Sequence, residues 1–383
     1  MAKPHSIVGF LLLVFAFSSV AASPTKSKSV GIYELKKGNF SLKLTNWGVT
    51  VMSVILPDAK GNLADVALGF DTVAQYHNLD TNPLLISSAT NANFGGVIYT
   101  IAGGRIGFSS VIWTVKDQKR GNYPSITFTY RSFDGEQGFP GDVDVSVTYK
   151  IVGDYDLSLT MKAKALNKPT PISLGHHIYW NLGGHNSGDI LSNTLQIFAS
   201  HYTPVDKFLI PTGEIAPVKG TPYDFLQPDT IGRRIDQIPP GYDINYAIDG
   251  EKEKLKKVAY LKDYKSGRAL MLWATAPGMQ LYTSNWLKVV GKGGYEYQPH
   301  AAVCLETLGF PDSVNHPNFP SQIVNPGEVK WCLGISSFQA DKMFLDSLQQ
   351  EFGAGITRSH FLLRTTPNLD LLCKAGLLVI ELG

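Results

Sequence analysis

Apolar and polar residues alternate one by one through most of this chain. Val143, Val145, Val147, Tyr149 and Ile151 are interleaved with Asp144, Ser146, Thr148 and Lys150. A Gly153-Asp154 turn follows, and Leu157, Leu159, Met161 and Ala163 then alternate with Ser158, Thr160 and Lys162. Side chains of a strand point to opposite faces in turn, so this pattern predicts a hairpin with one buried and one wet face. Phe40/Leu42/Leu44 and Ile126/Phe128/Tyr130 repeat the pattern, Val51 to Leu56 is a further strand, and Lys265 to Arg268 turns between Val258–Leu261 and Ala269–Ala274. Between residues 24 and 330 no long helical period competes. Short strands without alternating helices predict an all-β, antiparallel sandwich or barrel rather than a parallel α/β sheet. No repeat or linker divides them, which predicts one domain, and 383 residues suffice for a large core. A formal charge of only +2, with no Lys/Arg cluster, gives no support to a nucleic-acid partner.

Both ends of the chain change character. Lys3, an apolar run from Ile7 to Phe17 and small residues to Ser23 have the order of a secretory signal peptide, with cleavage expected after Ala22. The apolar run is short for a membrane span of about 20 residues. The expected organisation is a signal peptide at 1–22, a domain at 24–335 and a tail at 336–383. In that tail, Phe338 to Phe352 has helical spacing ending at Gly353. Export would put the mature chain in an oxidising compartment, outside the cell and free of the membrane. Cys304, Cys332 and Cys373 are too few for a disulfide framework and show no metal-ligand spacing. Asn39-Phe40-Ser41 is a glycosylation acceptor pattern.

Four stretches carry candidate chemistry. Pro171 to Leu182 holds adjacent histidines, His176 and His177, which a strand would turn to opposite faces. On the His177 face the same rule puts Tyr179 and Asn181, giving an imidazole, a ring and an amide that suit a sugar's hydroxyls and C–H surfaces. A histidine among apolar residues is equally well a hydrogen-bonded core residue. Glu306 sits in the apolar run Ala301 to Leu308, where an unpaired charge is costly and burial would raise its pKa toward a general base's range. The alternative for Glu306 is the wet face of a strand. Asp243 lies in a Gly/Pro-led loop beside aromatics, where it is either a ligand or a turn former. Gln280 and Tyr282 share one face of a short strand.

Taken together, these stretches resemble the aldose 1-epimerase (galactose mutarotase) family, particularly its plant-type members. The resemblance covers roughly residues 30 to 328. It rests on Pro171 to Leu182, Leu305-Glu-Thr-Leu-Gly-Phe-Pro-Asp312, Asn315 to Asn318, Ile323 to Gly327, Tyr242 to Asn245, Met279 to Tyr282 and Phe133 to Gly141. It implies an antiparallel β-supersandwich, no metal or other cofactor, and a small aldose such as galactose or glucose as substrate; a monomer is expected. By the family's pattern Glu306 is the base that takes the anomeric proton and His177 the acid that protonates the ring oxygen. Asp243, Gln280, Arg105 and Tyr179 would bind substrate, with Trp180 an alternative platform.

This chain departs from that pattern in two places. Family chains carry an Asn-Arg-Ile segment and then a His-Gly-Gly segment with a second active-site histidine, and Asn82 to Trp113 is too short for both. One alignment sets Ala102-Gly-Gly104 on His-Gly-Gly, which loses the arginine. The other sets Phe94 to Gly107 on the Asn-Arg-Ile segment, which keeps Arg105 and deletes the histidine segment. In both the first histidine is missing. The tail from residue 336 matches nothing in the family. The resemblance thus supports an epimerase, with a sugar-binding relative lacking turnover as the alternative. A phosphosugar epimerase would need a basic pocket, for which only Arg105 and Arg131 are near.

Overall fold

The computed structural model describes residues 29–81, 97–99 and 106–340. Among them are three main antiparallel sheets, of four, five and nine strands, and one short α-helix, Val73–Thr81, besides a few single 3-10 turns. The all-β antiparallel expectation therefore holds. The predicted hairpin forms as read: Val143–Ile151 pairs with Asp156–Ala165, Val147 opposite Met161 and Tyr149 opposite Leu159. Its odd-numbered residues Val143, Val145, Val147 and Tyr149 are buried, as are Leu157, Met161 and Ala163. Leu42 and Val54 of the four-stranded sheet, Val145 and Leu270 of the nine-stranded sheet, and Tyr246, Leu281 and Leu305 of the five-stranded sheet belong to one continuous core. Burial of that shared apolar surface, at about 25 cal/mol per Å², is the main force holding the layers together.

The final described strand runs from Val329 to Ala340, five residues past the expected domain end at 335. Arg268–Ala274 pairs with it along one edge, Leu270 opposite Phe338, and Asp156–Ala165 pairs along the other. Phe338 was expected to open a helix. It is instead a core residue of this strand, with its ring 5.7 Å from Phe40 and 5.4 Å from Trp180. A strand between two others satisfies its backbone groups on both edges, and that outweighs a weak helical period. The remainder of the tail, the signal segment and Arg105 lie outside the described residues. Asn39, the glycosylation candidate, is exposed in the turn between Ile32–Lys37 and Phe40–Thr45. Among the described residues no helix is long and apolar enough to cross a membrane.

Candidate active site

The site is laid out by strand register. Asp243–Ala247, Gly278–Tyr282 and Cys304–Leu308 are adjacent in the five-stranded sheet. Asn245 pairs with Gln280, and Gln280 with Glu306; one step along, Asp243 pairs with Tyr282, and Tyr282 with Cys304. Paired residues and those two apart share a face, so all six project from the same side. The intervening residues Ile244, Leu281 and Leu305 form the opposite, core-facing row. Gly278 ends the polar rows because the face has no room there: a Cβ would stand 2.6 Å from Asn245 Oδ1 and 2.9 Å from the Phe310 ring.

His177 reaches this face from a neighbouring segment. The histidine stretch is not one strand: Leu174–His176 pairs with Val97–Tyr99, regular pairing stops there, and Trp180 resumes with bridges to Ala67 and Val303. His176 turns inward, its ring 5.6 Å from Tyr149. His177 turns toward the five-stranded sheet, and its Nε2 stands 3.3 Å from Glu306 Oε1. That spacing is ion-pair distance but longer than a tight charge-assisted hydrogen bond. The opposite orientation of the two histidines is as the sequence predicts.

Two expectations along this stretch need correcting. Asn181 is not on the His177 face, because the two-residue rhythm ends with the strand at His176. Its amide donates to the carbonyls of Gly188 and Ala301, and its side-chain oxygen accepts from Gly183 N–H and Ser187 Oγ. Asn181 instead lines a polar cavity of about 330 Å³ with Asn62, Asp263 and Arg268, a cavity that none of the sugar candidates touches. Tyr179 is not an open platform for a sugar. Its ring lies flat against the His177 imidazole, centroids 4.7 Å apart at 13°, and the residue is 3% exposed. It backs the histidine and fixes its plane. Trp180 is core, packed on Phe338. Arg131 is no phosphate ligand either, since its guanidinium forks onto Asp144 with two 2.7 Å bonds at the surface.

Burial sets the protonation of the pair. It pushes the His177 pKa down to about 4 and, helped by the negative charge of Asp243, pushes Glu306 well above its ordinary 4.5. Each group alone therefore prefers to be neutral, with the proton on the carboxyl. Neutral pair and ion pair hold the same single proton and differ only in which side of the 3.3 Å gap carries it. Asp243 is also raised by burial, with the hydrogen bond from Gln280 Nε2 to its Oδ1 (2.7 Å) opposing the shift. Among the described residues Gln280 Oε1 has no hydrogen-bond partner, so an acceptor is left over in the polar row.

The structure thus brings His177, Glu306, Asp243 and Gln280 together and places Tyr179 behind them. Tyr282 lies on the Gln280 face, as the sequence reading has it, and two further neighbours on that face, Cys304 and Asn245, are not among the sequence candidates. Cys304 needed only the two-residue rule applied from Glu306. Asn245 needed the same rule applied from Asp243, which requires reading Asp243–Ala247 as a strand rather than a loop.

A family model described as aldose 1-epimerase matches residues 31–331. Mouse galactose mutarotase is 36% identical over 326 residues, covering 80% of this chain and 93% of the mouse protein. The human galactose mutarotase is 35% identical over 326 residues with the same coverage. Aldose 1-epimerase of Escherichia coli is 31% identical over 310 residues, covering 74% of this chain and 88% of its own. Among solved structures, a GalM/aldose epimerase homologue from C. elegans superposes with a TM-score of 0.71 at 23% identity, covering 82% of this chain and 99% of the other. A galactose 1-epimerase from Lactobacillus acidophilus reaches 0.65 at 18% identity, with coverage of 82% and 99%. These two likenesses establish the fold. With the family model spanning most of the chain and relatives above 30% identity over at least 74% of it, the chain belongs to the aldose 1-epimerase family.

Proposed function

We propose that the chain is a mutarotase that interconverts the α and β anomers of galactose or glucose by opening and reclosing the ring. The observation that carries this reading is the buried His177–Glu306 pair, 3.3 Å apart beside the Asp243–Gln280 row. Ring opening requires a base at the anomeric hydroxyl and an acid at the ring oxygen in the same encounter. In the ion-pair form Glu306 is that base and His177 that acid. After C1 rotates, Glu306 gives its proton back to the carbonyl oxygen while His177 takes one from the former ring oxygen, and the enzyme is restored. A sugar whose hydroxyls and ring oxygen meet these two groups supplies dipoles that burial otherwise denies, and so favours the ion-pair form. In this reading Asp243 and Gln280, paired across adjacent strands with Tyr282 and Asn245, accept hydrogen bonds from sugar hydroxyls.

Polarimetry of freshly dissolved α-galactose tests the reading, with exchange faster than the buffer blank as the expected result. Exchange no faster than buffer, with sugar binding retained, would establish instead a sugar-binding relative without turnover. Asp243→Asn is expected to raise KM by about ten- to a hundredfold, the cost of losing a hydrogen bond to a charged acceptor. It should also lower the pH of the acid limb of kcat/KM, because the negative charge that helps hold Glu306 up is gone. An unchanged KM would remove Asp243 from the sugar site.

The reading extends to location. The Lys3, Ile7–Phe17 and Ala22 pattern supports export of the chain. Mass determination of the exported protein, expected to begin at Ala22 plus one, checks the cleavage point.

A further inference from the structure

We propose that His177, Cys304 and Glu306 form a binding site for a thiophilic divalent cation such as Zn²⁺, and that the cation blocks the sugar site. The ligand atoms of these three residues all lie within 4.8 Å of one another, and all three side chains are buried. Cys304 and Glu306 are two apart on one strand and therefore share its face, while His177 enters from the adjoining segment. One nitrogen, one sulfur and one carboxylate oxygen make a donor set suited to zinc. At Zn–N and Zn–O distances of about 2.0–2.2 Å and Zn–S of about 2.3 Å, tetrahedral ligand atoms stand roughly 3.3–3.7 Å apart. From at most 4.8 Å the cluster needs to close by roughly 1.1–1.5 Å, a matter of side-chain rotation.

Charge favours the arrangement. A divalent cation held by one thiolate and one carboxylate leaves the enclosed cluster neutral, and the imidazole supplies a ring-nitrogen lone pair without adding charge. The fourth tetrahedral position remains for water. The blocking effect rests on the proposed mutarotase reaction, because the cation takes the two groups that move protons in it. Binding itself does not depend on that reading.

The test is a Cd²⁺ titration of the purified full chain, followed by the ultraviolet thiolate-to-cadmium charge-transfer band, together with mutarotation assays in Zn²⁺ with and without EDTA. One equivalent of band is expected, with affinity falling as pH is lowered. Zn²⁺ should raise KM for galactose with kcat unchanged, and EDTA should reverse the effect. Cys304→Ser should abolish the band and weaken zinc inhibition by more than about tenfold, since changes to the outer partners of metal ligands already cost about 10- to 100-fold. Cys332→Ser should leave both intact. Glu306→Gln, in which Cys304 is untouched, should weaken Cd²⁺ affinity by a similar factor and serves if Cys304→Ser does not fold. A band that survives Cys304→Ser, or an affinity unmoved by Glu306→Gln, overturns the site. A chain with no mutarotase activity that still shows the Cys304-dependent band sinks the reaction and leaves the cation site standing.

Discussion

Glu306→Gln is expected to lower the rate of anomer exchange by about 10²- to 10⁴-fold, the usual contribution of a general base, while sugar binding changes little. The carboxamide keeps the shape and cannot take a proton. The same substitution should raise Tm near pH 7, and that sign separates lost chemistry from lost folding. Above pH 4.5 the unfolded chain releases the Glu306 proton, whereas burial makes the folded chain keep it. The residue's stabilising contribution is therefore complete below 4.5 and is lost as pH rises through its raised folded value. The glutamine variant does not titrate, so its advantage should shrink toward zero as pH falls below 4.5. His177 runs the other way: its contribution is complete above 6.5 and is lost as pH falls toward about 4, since only the unfolded imidazole protonates readily in that window. Thermal melts of the parent and the variant from pH 4 to 8, beside polarimetry, check both statements. Equal melting temperatures at pH 7 would mean that Glu306 bears no burial cost, and unchanged turnover would remove it from the reaction.

Lys292→Met is expected to destabilise the fold by about 3–5 kcal/mol, the typical cost of breaking a buried ion pair from one side. Lys292 Nζ lies 2.7 Å from Asp65 Oδ2 and 2.7 Å from the Ala67 carbonyl. Burial pushes the Lys292 pKa down, and Asp65 opposes that shift. The other Asp65 oxygen accepts from the Val54 and Ala67 backbone N–H groups. The consequences reach the site through the backbone. Leu68 N–H donates to the Tyr179 carbonyl and Asn181 N–H to the Val66 carbonyl, each at 2.9 Å. Residues 179–181 are thereby clamped between the 66–68 segment and Val303, and Tyr179 is the ring on which His177 rests. Urea unfolding of Lys292→Met, Asp65→Asn and the double variant would show the coupling. Once the lysine is gone, loss of the Asp65 charge should cost much less than it does in the parent. Strict additivity of the two substitutions would mean that the pair contributes no interaction of its own.

Much of this was legible locally. The hairpin at 143–165 follows from side-chain alternation, because a half-buried strand has to present one apolar face whatever surrounds it. The opposed directions of His176 and His177 follow from the same rule. Asp243, Gln280 and Glu306 were recognisable through short motifs that mark the family. The failures have one cause. Asn181 falls on the His177 face only if alternation extends past His176, and the strand ends at that residue. Phe338 was given to a helix by its spacing, but two flanking strands offered its backbone a complete set of partners.

The sequence by itself determined the layers, the polar and apolar faces of most strands and the family, because these depend on residues a few positions apart. Only the tertiary structure decided which strands lie side by side. That adjacency puts Gln280 across from Glu306, brings His177 to 3.3 Å from that carboxylate and completes a three-donor cluster with Cys304. It also decided the proton's resting place. Read along the chain, the apolar run around Glu306 already points to a raised pKa, but nothing local shows that His177 is enclosed with it. Enclosed between sheets they are both driven toward neutrality, because the cost of desolvation depends on what surrounds a group and not on its neighbours in sequence.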